Sequence, residues 1–168
     1  YPILILSSVL GMMIMISSYD LIVFDWSGTL SPIDSSPTDT LYPEVLGVLE
    51  MLHRQGILLA VATMLPKGAL MTALKHTGLS QFFTTTASGS DYLAKPNPEM
   101  LNAIIDFCGV SSSSAIMIGD SVADLQMANL AGVKAIGIDR YGDGQQFQSY
   151  RPEKIIQTFE GLPKFFSR

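Results

Sequence analysis

The chain is poor in cysteine and in basic residues. Its 168 residues include one cysteine, two histidines and ten Lys and Arg, against fifteen Asp and Glu. The single Cys108 excludes an internal disulfide, and we expect a reducing, cytoplasmic compartment. The net charge of −5 argues against a nucleic-acid-binding surface, which needs a basic patch. A phosphorylated substrate is still possible, because a bound divalent cation can reverse the sign of the local charge.

Basic residues are also absent from the start of the chain. Residues 2–16 are almost wholly apolar, and the first Lys or Arg is Arg54. A membrane-spanning helix needs about 20 apolar residues, and a secretory signal begins with a positively charged region. We therefore interpret residues 1–18 as an apolar N-terminal extension that packs on the protein or adds a strand, and we regard a membrane anchor as the weaker alternative.

Apolar runs and helical stripes alternate along the rest of the chain. Five runs have the composition of buried strands, at residues 21–24, 57–63, 82–86, 115–118 and 133–138. Helices are predicted between them, and a last short helix is predicted around Ile155, Ile156 and Phe159. This alternation predicts an α/β fold in three layers, with a doubly wound parallel sheet and right-handed crossovers.

Polar residues stand where three of the predicted strands end. Asp25 follows the first strand, Thr63 ends the second, and Asp120 comes shortly after the fourth. Lys95 precedes a predicted helix on the same side of the sheet. The carboxyl ends of parallel strands meet at one edge, where open α/β sheets bind ligands. A carboxylate, a hydroxyl, a cation and a further carboxylate at one place suit phosphoryl transfer with Mg²⁺.

Several residues at or near these strand ends also have a purely structural interpretation. Aspartates such as Asp25 often cap turns. Asp124 lies in the first turn of a predicted helix, where the helix dipole favours a negative charge. The weaker alternative for Lys95 is an exposed loop lysine, and Trp26 is compatible with either the core or a substrate-facing surface.

Four motifs at these strand ends resemble those of the haloacid dehalogenase superfamily of phosphatases and related hydrolases. DWSGTL at 25–30 is similar to the first motif, Asp-x-Asp-Gly-Thr-Leu, and Ala62-Thr63 is similar to the second. KPNP at 95–98 is similar to the form of the third motif that is typical of the phosphoglycolate-phosphatase-like branch. GDSVAD at 119–124 is similar to the fourth. We therefore interpret residues 19–168 as the hydrolase core, with a Rossmann-like sheet.

The resemblance implies a nucleophile and a metal site. Asp25 would attack the phosphorus atom and form an aspartyl-phosphate. Asp25, Asp120 and the backbone carbonyl of Ser27 would hold Mg²⁺, and Asp124 would bind the metal or orient water bound to it. The implied protein is a Mg²⁺-dependent phosphatase.

The resemblance also implies a phosphate pocket. Thr63 would donate a hydrogen bond to the phosphate, and Lys95 would offset its negative charge. Gly28 would allow the loop backbone to approach the phosphate closely. The implied substrate is a phosphate monoester.

Ser27 departs from the first motif, because the family has a second aspartate there. That aspartate protonates the leaving group and then activates water, and such acid–base catalysis is commonly worth about 10²–10⁴-fold in rate. A serine hydroxyl does not titrate near neutral pH. We expect Asp25 to be phosphorylated and the hydrolysis to be slow. The alternative is a catalytically weak domain that binds phosphate or regulates another process.

The missing cap is the second departure. Too few residues separate Asp25 from Thr63, and Thr63 from Lys95, to form a cap domain. We therefore expect an open site, suited to a small phosphorylated molecule or to a macromolecule. An open site also suits a homo-oligomer in which a second copy covers the cleft. The DWSGT string also resembles phosphonoacetaldehyde hydrolases. Their cap-domain lysine has no counterpart, since no lysine lies between Trp26 and Ala62.

Overall fold

A six-stranded parallel sheet forms the centre of the computed structural model, which describes residues 19–35 and 40–167. The strands are β1 (Leu21–Phe24), β2 (Leu58–Thr63), β3 (Phe83–Ser88), β4 (Ala115–Gly119), β5 (Lys134–Ile138) and β6 (Lys154–Ile156). The helices are α1 (Val45–Arg54), α2 (Lys67–Thr77), α3 (Glu99–Cys108), α4 (Val122–Leu130) and α5 (Leu162–Phe165). The strand order β3-β2-β1-β4-β5-β6 is that of a doubly wound sheet.

The helices cover both faces of this sheet. In β1, Ile22 and Phe24 face one side, where they join a core with the buried residues of α1, α2 and α5. Leu21 and Val23 face the other side and pack in a core with α3 and α4. Strands buried on both faces need continuous apolar runs, which is the pattern that the sequence shows. The predicted three-layer α/β fold is confirmed.

The end of the chain differs from the prediction. Ile155 and Ile156 belong to β6, which pairs in parallel with β5, and the last helix begins only at Leu162. The predicted helix at Ile155 and Ile156 is therefore wrong. A run of two or three apolar residues does not distinguish a short strand from a helix, and β-branched isoleucine favours a sheet edge. Phe159 instead contributes to the core, with its ring centroid 5.7 Å from that of Phe24.

The connection between β1 and β2 contains a turn and α1, and the described residues between Asp25 and Lys95 form no cap domain. Residues 36–39 of this connection and the expected extension at residues 1–18 lie outside the described part of the chain. Within the described residues, no helix combines the length and the apolar character needed to cross a bilayer.

The strand order places the ends of β1 and β4 next to each other. The chain winds from β1 outward through β2 to β3, and then returns to form β4 on the opposite side of β1. Phe24 of β1 pairs with Ile118 of β4. In such folds the crevice at the point of reversal is the usual ligand site, so residues that follow β1 and β4 define the candidate site.

Candidate functional site

Asp25 is the first residue after β1, at the point where the winding reverses. Its backbone N–H donates to the carbonyl of Ile118 over 2.9 Å, which fixes it beside the end of β4. The next residue, Trp26, is fully buried in the core, so the interpretation of Trp26 as a surface or substrate-facing residue is wrong. The Trp26 carbonyl accepts the N–H groups of Thr29, Leu30 and Ser31. This tight turn holds the Asp25 carboxylate at the carboxyl edge of the sheet.

Gly28 makes room for Asp120 within this turn. Its φ is +85°, a left-handed conformation that favours glycine. A Cβ atom at this position would lie 2.0 Å from Oδ2 of Asp120. The hydroxyl of Thr29 donates to Oδ1 of the same carboxylate over 3.2 Å. Direct contact between Gly28 and a phosphate stays a prediction.

Asp124 has two roles in the structure. Ser121 caps the N-terminus of α4, and its N–H and hydroxyl donate to Oδ2 of Asp124 over 3.1 and 2.7 Å. The other oxygen, Oδ1, accepts from Lys95 over 2.7 Å. The helix-terminus interpretation is therefore confirmed, and the oxygen that does not take part in capping faces the cavity residue Lys95. The role of Asp124 toward a metal stays a prediction.

Lys95 reaches the same place from the loop before α3. Its Nζ lies 2.5 Å from Oδ1 of Asp25 and 2.7 Å from Oδ1 of Asp124. The side chain is only 5% exposed, so the interpretation as an exposed loop lysine is wrong. Burial alone lowers the pKa of Lys95, but the carboxylates of Asp25 and Asp124 outweigh burial and raise it. Lys95 therefore carries its positive charge inside the acidic cluster.

Thr63 and Ser27 line the cavity of about 460 Å³ above Asp25. Thr63, at the end of β2, is buried, and its hydroxyl oxygen accepts the N–H of Leu65 over 3.2 Å. The hydroxyl proton of Thr63 is thus available for another acceptor. Ser27 is partly exposed. Of the residues predicted for the site, the structure brings six to the walls of this cavity: Asp25, Ser27, Thr63, Lys95, Asp120 and Asp124. Gly28 lines a separate hollow beside Asp120 instead.

The three carboxylates form an acidic cluster. One oxygen each of Asp25, Asp120 and Asp124 lies within 4.8 Å of the others. Burial, together with the charges of Asp124 and Asp120, raises the pKa of Asp25 to about 8, although Lys95 acts in the opposite direction. Burial and the charge of Asp124 also raise the pKa of Asp120. The cluster has three carboxylates and only one ammonium group, and such an excess of negatively charged oxygen ligands fits a hard divalent cation.

Three further residues support the site, and the sequence interpretation gave them no role: Thr29, Ser121 and Arg140. Ser121 has a local signal, because Ser-x-x-Asp is the spacing of a capping box. Thr29 and Arg140 have none, since their partners lie 91 and 96 or more positions away.

Arg140 follows β5 and fixes the back of the Asp25 turn. Its Nη2 donates to the carbonyl of Thr29 over 2.8 Å, and its Nη1 to Oε1 of Glu44 over 2.7 Å. The guanidinium carbon lies 3.4 Å from the centroid of the Tyr42 ring. The Glu44 pKa is lowered despite burial, because Arg140 donates a hydrogen bond to the carboxylate. Arg140 thus ties the Asp25 turn to the start of α1.

The fold and the site define a class of protein: a doubly wound α/β domain with an acidic cluster between its two central strand ends. The family model described as haloacid dehalogenase-like hydrolase matches residues 22–138. The chain belongs to this family. The match contains every residue of the acidic cluster, together with Thr63 and Lys95.

The comparisons with individual proteins agree with the family. The chain is 32% identical over 124 residues to a phosphoglycolate phosphatase of Aliivibrio fischeri, covering 73% of this chain and 55% of that protein. The chain thus spans about half the length of the curated relatives it matches. A crystal structure of a HAD phosphatase from Thermococcus onnurineus is 32% identical with a TM-score of 0.68, covering 77% of this chain and 60% of that one.

A more distant structure shows the fold at nearly full length. A HAD-superfamily hydrolase from Ehrlichia chaffeensis is 17% identical with a TM-score of 0.73, covering 88% of this chain and 96% of that one. At this identity the comparison supports the fold alone. The predicted family and the core without a cap are confirmed.

Proposed function

We propose that this protein is a Mg²⁺-dependent phosphatase that hydrolyses phosphate monoesters through an aspartyl-phosphate on Asp25. The observation that carries the proposal is the acidic cluster at the winding reversal, with the Lys95 ammonium bonded to Asp25 and Asp124. A nucleophile, a cation and metal-ligand oxygens meet there beside a cavity of substrate size. Family membership supports the same chemistry.

Asp25, Asp120 and the backbone carbonyl of Ser27 would hold the Mg²⁺ ion, and Asp124 would orient water bound to it. When bound, the ion neutralises the charges of the carboxylates and of the phosphate oxygens. The raised pKa values of Asp25 and Asp120 support this ligand set, because burial and repulsion penalise their charged forms. The identity of the ion as Mg²⁺ rests on the oxygen-only donors.

The first chemical step forms a bond from a carboxylate oxygen of Asp25 to phosphorus. The ester P–O bond breaks, its electron pair stays on the leaving oxygen, and that oxygen takes a proton from water. Lys95 offsets the charge of the transferred group, and the free hydroxyl proton of Thr63 is aimed at a phosphate oxygen. These residues position the phosphate and stabilise its charge, which is most of what phosphoryl transfer requires.

The second step adds water to the phosphorus atom, releases inorganic phosphate and regenerates the Asp25 carboxylate. No carboxylate is available at position 27 to activate that water, since Ser27 stands there. We therefore propose that this step is slow and that phospho-Asp25 accumulates. Ser27 also favours a second candidate function, a phosphate-binding or regulatory domain that turns over little.

The substrate proposed is a phosphate monoester of small size. The curated relatives are phosphoglycolate phosphatases, but the chain spans only about half their length, so their substrate is not assigned to this chain. A macromolecular phosphoester and a homo-oligomer that covers the open site remain predictions. The cytoplasmic location, the absence of a nucleic-acid partner and the assignment of residues 19–168 to one hydrolase core are also predictions.

Hydrolysis of p-nitrophenyl phosphate tests the proposal. We expect turnover to require Mg²⁺, to stop with a chelator, and to be abolished by Asp25→Asn because an amide cannot act as this nucleophile. Asp106→Asn is the matched control, because Asp106 is an exposed acid on α3. An Asp25→Asn variant as active as the parent protein would exclude the mechanism. Mg²⁺-dependent binding of vanadate without any turnover would favour the second candidate function.

A further inference from the structure

The walls of the cavity beyond the acidic cluster are apolar. Ile33 comes from the loop after β1, and Met64, Leu65 and Pro66 come from the connection between β2 and α2. Ile33 is 67% exposed and Met64 is 46% exposed, so two large apolar side chains of the cavity wall are accessible to solvent. Covering them with an apolar part of the substrate would remove that surface from water, at roughly 25 cal/mol per Å².

The same walls carry little positive charge. Among the described residues that line the cavity, Lys95 is the only Lys or Arg, and two carboxylates share its ammonium group. Nearby, Lys67 pairs with Asp91 at 3.4 Å, and the partly buried Arg140 donates to a carboxylate and a carbonyl. A carboxylate on the leaving group would therefore find no unpaired Lys or Arg among the described residues that line the cavity.

Aromatic surface continues beyond Ile33. A second hollow of about 430 Å³ shares Ile33 with the cavity, and its other walls are Pro32, Asp34, Tyr42 and Tyr141. Tyr141 is 90% exposed. Exposed rings of this kind pack well against another ring. Asp34 adds a further negative charge, which disfavours an ester whose leaving group carries a carboxylate.

Ser27, which replaces the motif's second aspartate, is an independent reason to expect an aromatic leaving group. With Ser27 there, the leaving oxygen has no strong acid beside it to supply a proton. A phenol, with a pKa near that of tyrosine at about 10, leaves as an anion far more readily than an aliphatic alcohol, which is about as weak an acid as water. The site is therefore suited to an ester whose leaving group needs no protonation.

We propose that this site selects aryl phosphate monoesters whose aryl group is apolar and carries no charged substituent, and that Ile33 and Met64 are specificity-determining residues. The proposal rests on the proposed phosphatase function. The ring of the leaving group lies against Ile33 and Met64, and the phosphate lies over Asp25 between Thr63 and Lys95. A leaving group that carries a carboxylate is disfavoured by Asp34 and by the lack of an unpaired Lys or Arg among the described lining residues.

Two esters with leaving groups of similar acidity test the charge selection: phenyl phosphate and 3-carboxyphenyl phosphate, both with Mg²⁺. We expect kcat/KM to be at least about tenfold higher for phenyl phosphate, because juxtaposed like charges are costly. Met64→Lys should reduce this ratio toward one. Met51→Lys is the matched control, since Met51 is 51% exposed on α1 and lies outside the cavity lining. Equal or better turnover of the carboxylated ester by the parent protein would overturn the proposal.

An alkyl ester tests the leaving-group argument. We expect kcat/KM, which reports the step in which the leaving group departs, to be higher for phenyl phosphate than for an uncharged alkyl phosphate, and Ser27→Asp to raise kcat/KM more for the alkyl ester than for the phenyl ester. Equal acceleration of both would contradict this argument. Phosphotyrosine in a neutral tripeptide distinguishes a tyrosyl side chain from a free aryl ester, and turnover of either supports the proposal. Failure to hydrolyse any ester would overturn the phosphatase function itself, and the selectivity with it.

Discussion

Ser27 is the residue from which we expect slow hydrolysis of phospho-Asp25. It lines the cavity above Asp25, where its hydroxyl replaces the carboxylate of the related motif. General acid–base catalysis contributes about 10²–10⁴-fold, so we expect Ser27→Asp to raise the dephosphorylation rate of Asp25 within that range. Single-turnover kinetics measures this rate directly. Ser27→Ala is the control and should leave the rate unchanged. If Ser27→Asp also leaves it unchanged, Ser27 does not limit hydrolysis.

Asp25 makes the stability of the metal-free protein depend on pH. Its folded-state pKa is about 8 against an ordinary value of 3.8. Between these values the folded state binds more protons than the unfolded state, so the free energy of unfolding falls as pH rises from about 4 to about 8. Since each unit of pKa shift corresponds to about 1.4 kcal/mol, Asp25→Asn should stabilise the chelator-treated protein at pH 8 by on the order of a few kcal/mol.

Urea denaturation at pH 5 and pH 8, with EDTA present, measures this effect. The gain from Asp25→Asn should be smaller at pH 5, where Asp25 is already protonated. Asp106→Asn, at an exposed position, should change stability little at either pH. A destabilised Asp25→Asn protein at pH 8 would show that the ion pair with Lys95 outweighs the burial of the charge.

Local sequence predicts the residues proposed to act on substrate better than the residues that support them. Asp25, Thr63 and Asp120 each follow an apolar run, so their position at one edge follows from a parallel sheet. Thr29 and Arg140 were not predicted, because their contacts join chain positions 91 and 111 residues apart. The role of Gly28 was predicted differently, since the proximity of Asp120 depends on the folded turn.

At the level of elements, Arg140 connects the end of β5 with the Asp25 turn and with α1. Replacing it with methionine leaves the partly buried Glu44 carboxylate without its partner, which costs between the roughly 1 kcal/mol of an exposed pair and the roughly 3–5 kcal/mol of a fully buried pair. Glu44 and Arg140 side chains are 15% and 9% exposed. We expect Arg140→Met to lower the free energy of unfolding by about this amount, as measured by urea denaturation.

Arg54→Met is the matched control for that variant. Arg54 is 79% exposed and lies 3.9 Å from Glu50 on α1, and exposed pairs of this kind contribute at most about 1 kcal/mol. Adding Glu44→Gln to Arg140→Met should recover part of the loss, because it removes the unpaired charge. A loss for Arg140→Met no larger than for Arg54→Met would contradict the role assigned to Arg140.

The strands differ in how well the sequence predicted them. Residues 21–24 and 115–118 were predicted closely, because central parallel strands are buried on both faces and need unbroken apolar runs. β6 is three residues long, lies at an edge and is only partly buried. Its pairing with β5 decides its conformation, and that pairing is not visible in a local pattern.

At the scale of the whole molecule, the winding of the sheet creates the site. Reversal after β3 brings β4 beside β1, and this brings Asp25 and Asp120 together. If the acidic cluster binds Mg²⁺ only in the folded state, the ion must stabilise the fold. At a concentration about tenfold above the dissociation constant, the gain is about 1.4 kcal/mol. We expect Mg²⁺ to raise the Tm of the parent protein and of Asp106→Asn, and not that of Asp120→Asn.

The central claim is that a carboxylate oxygen of Asp25 is the nucleophile that attacks phosphorus. The most direct test is mass spectrometry of the protein, quenched in acid after incubation with phenyl phosphate and Mg²⁺ and cleaved with pepsin at low pH. We predict one added phosphoryl group on the peptide that contains residues 21–30, localised to Asp25, dependent on Mg²⁺ and absent from Asp25→Asn. Hydrolysis of the ester with no phosphoryl group on Asp25, or with the group on another residue, would contradict the account.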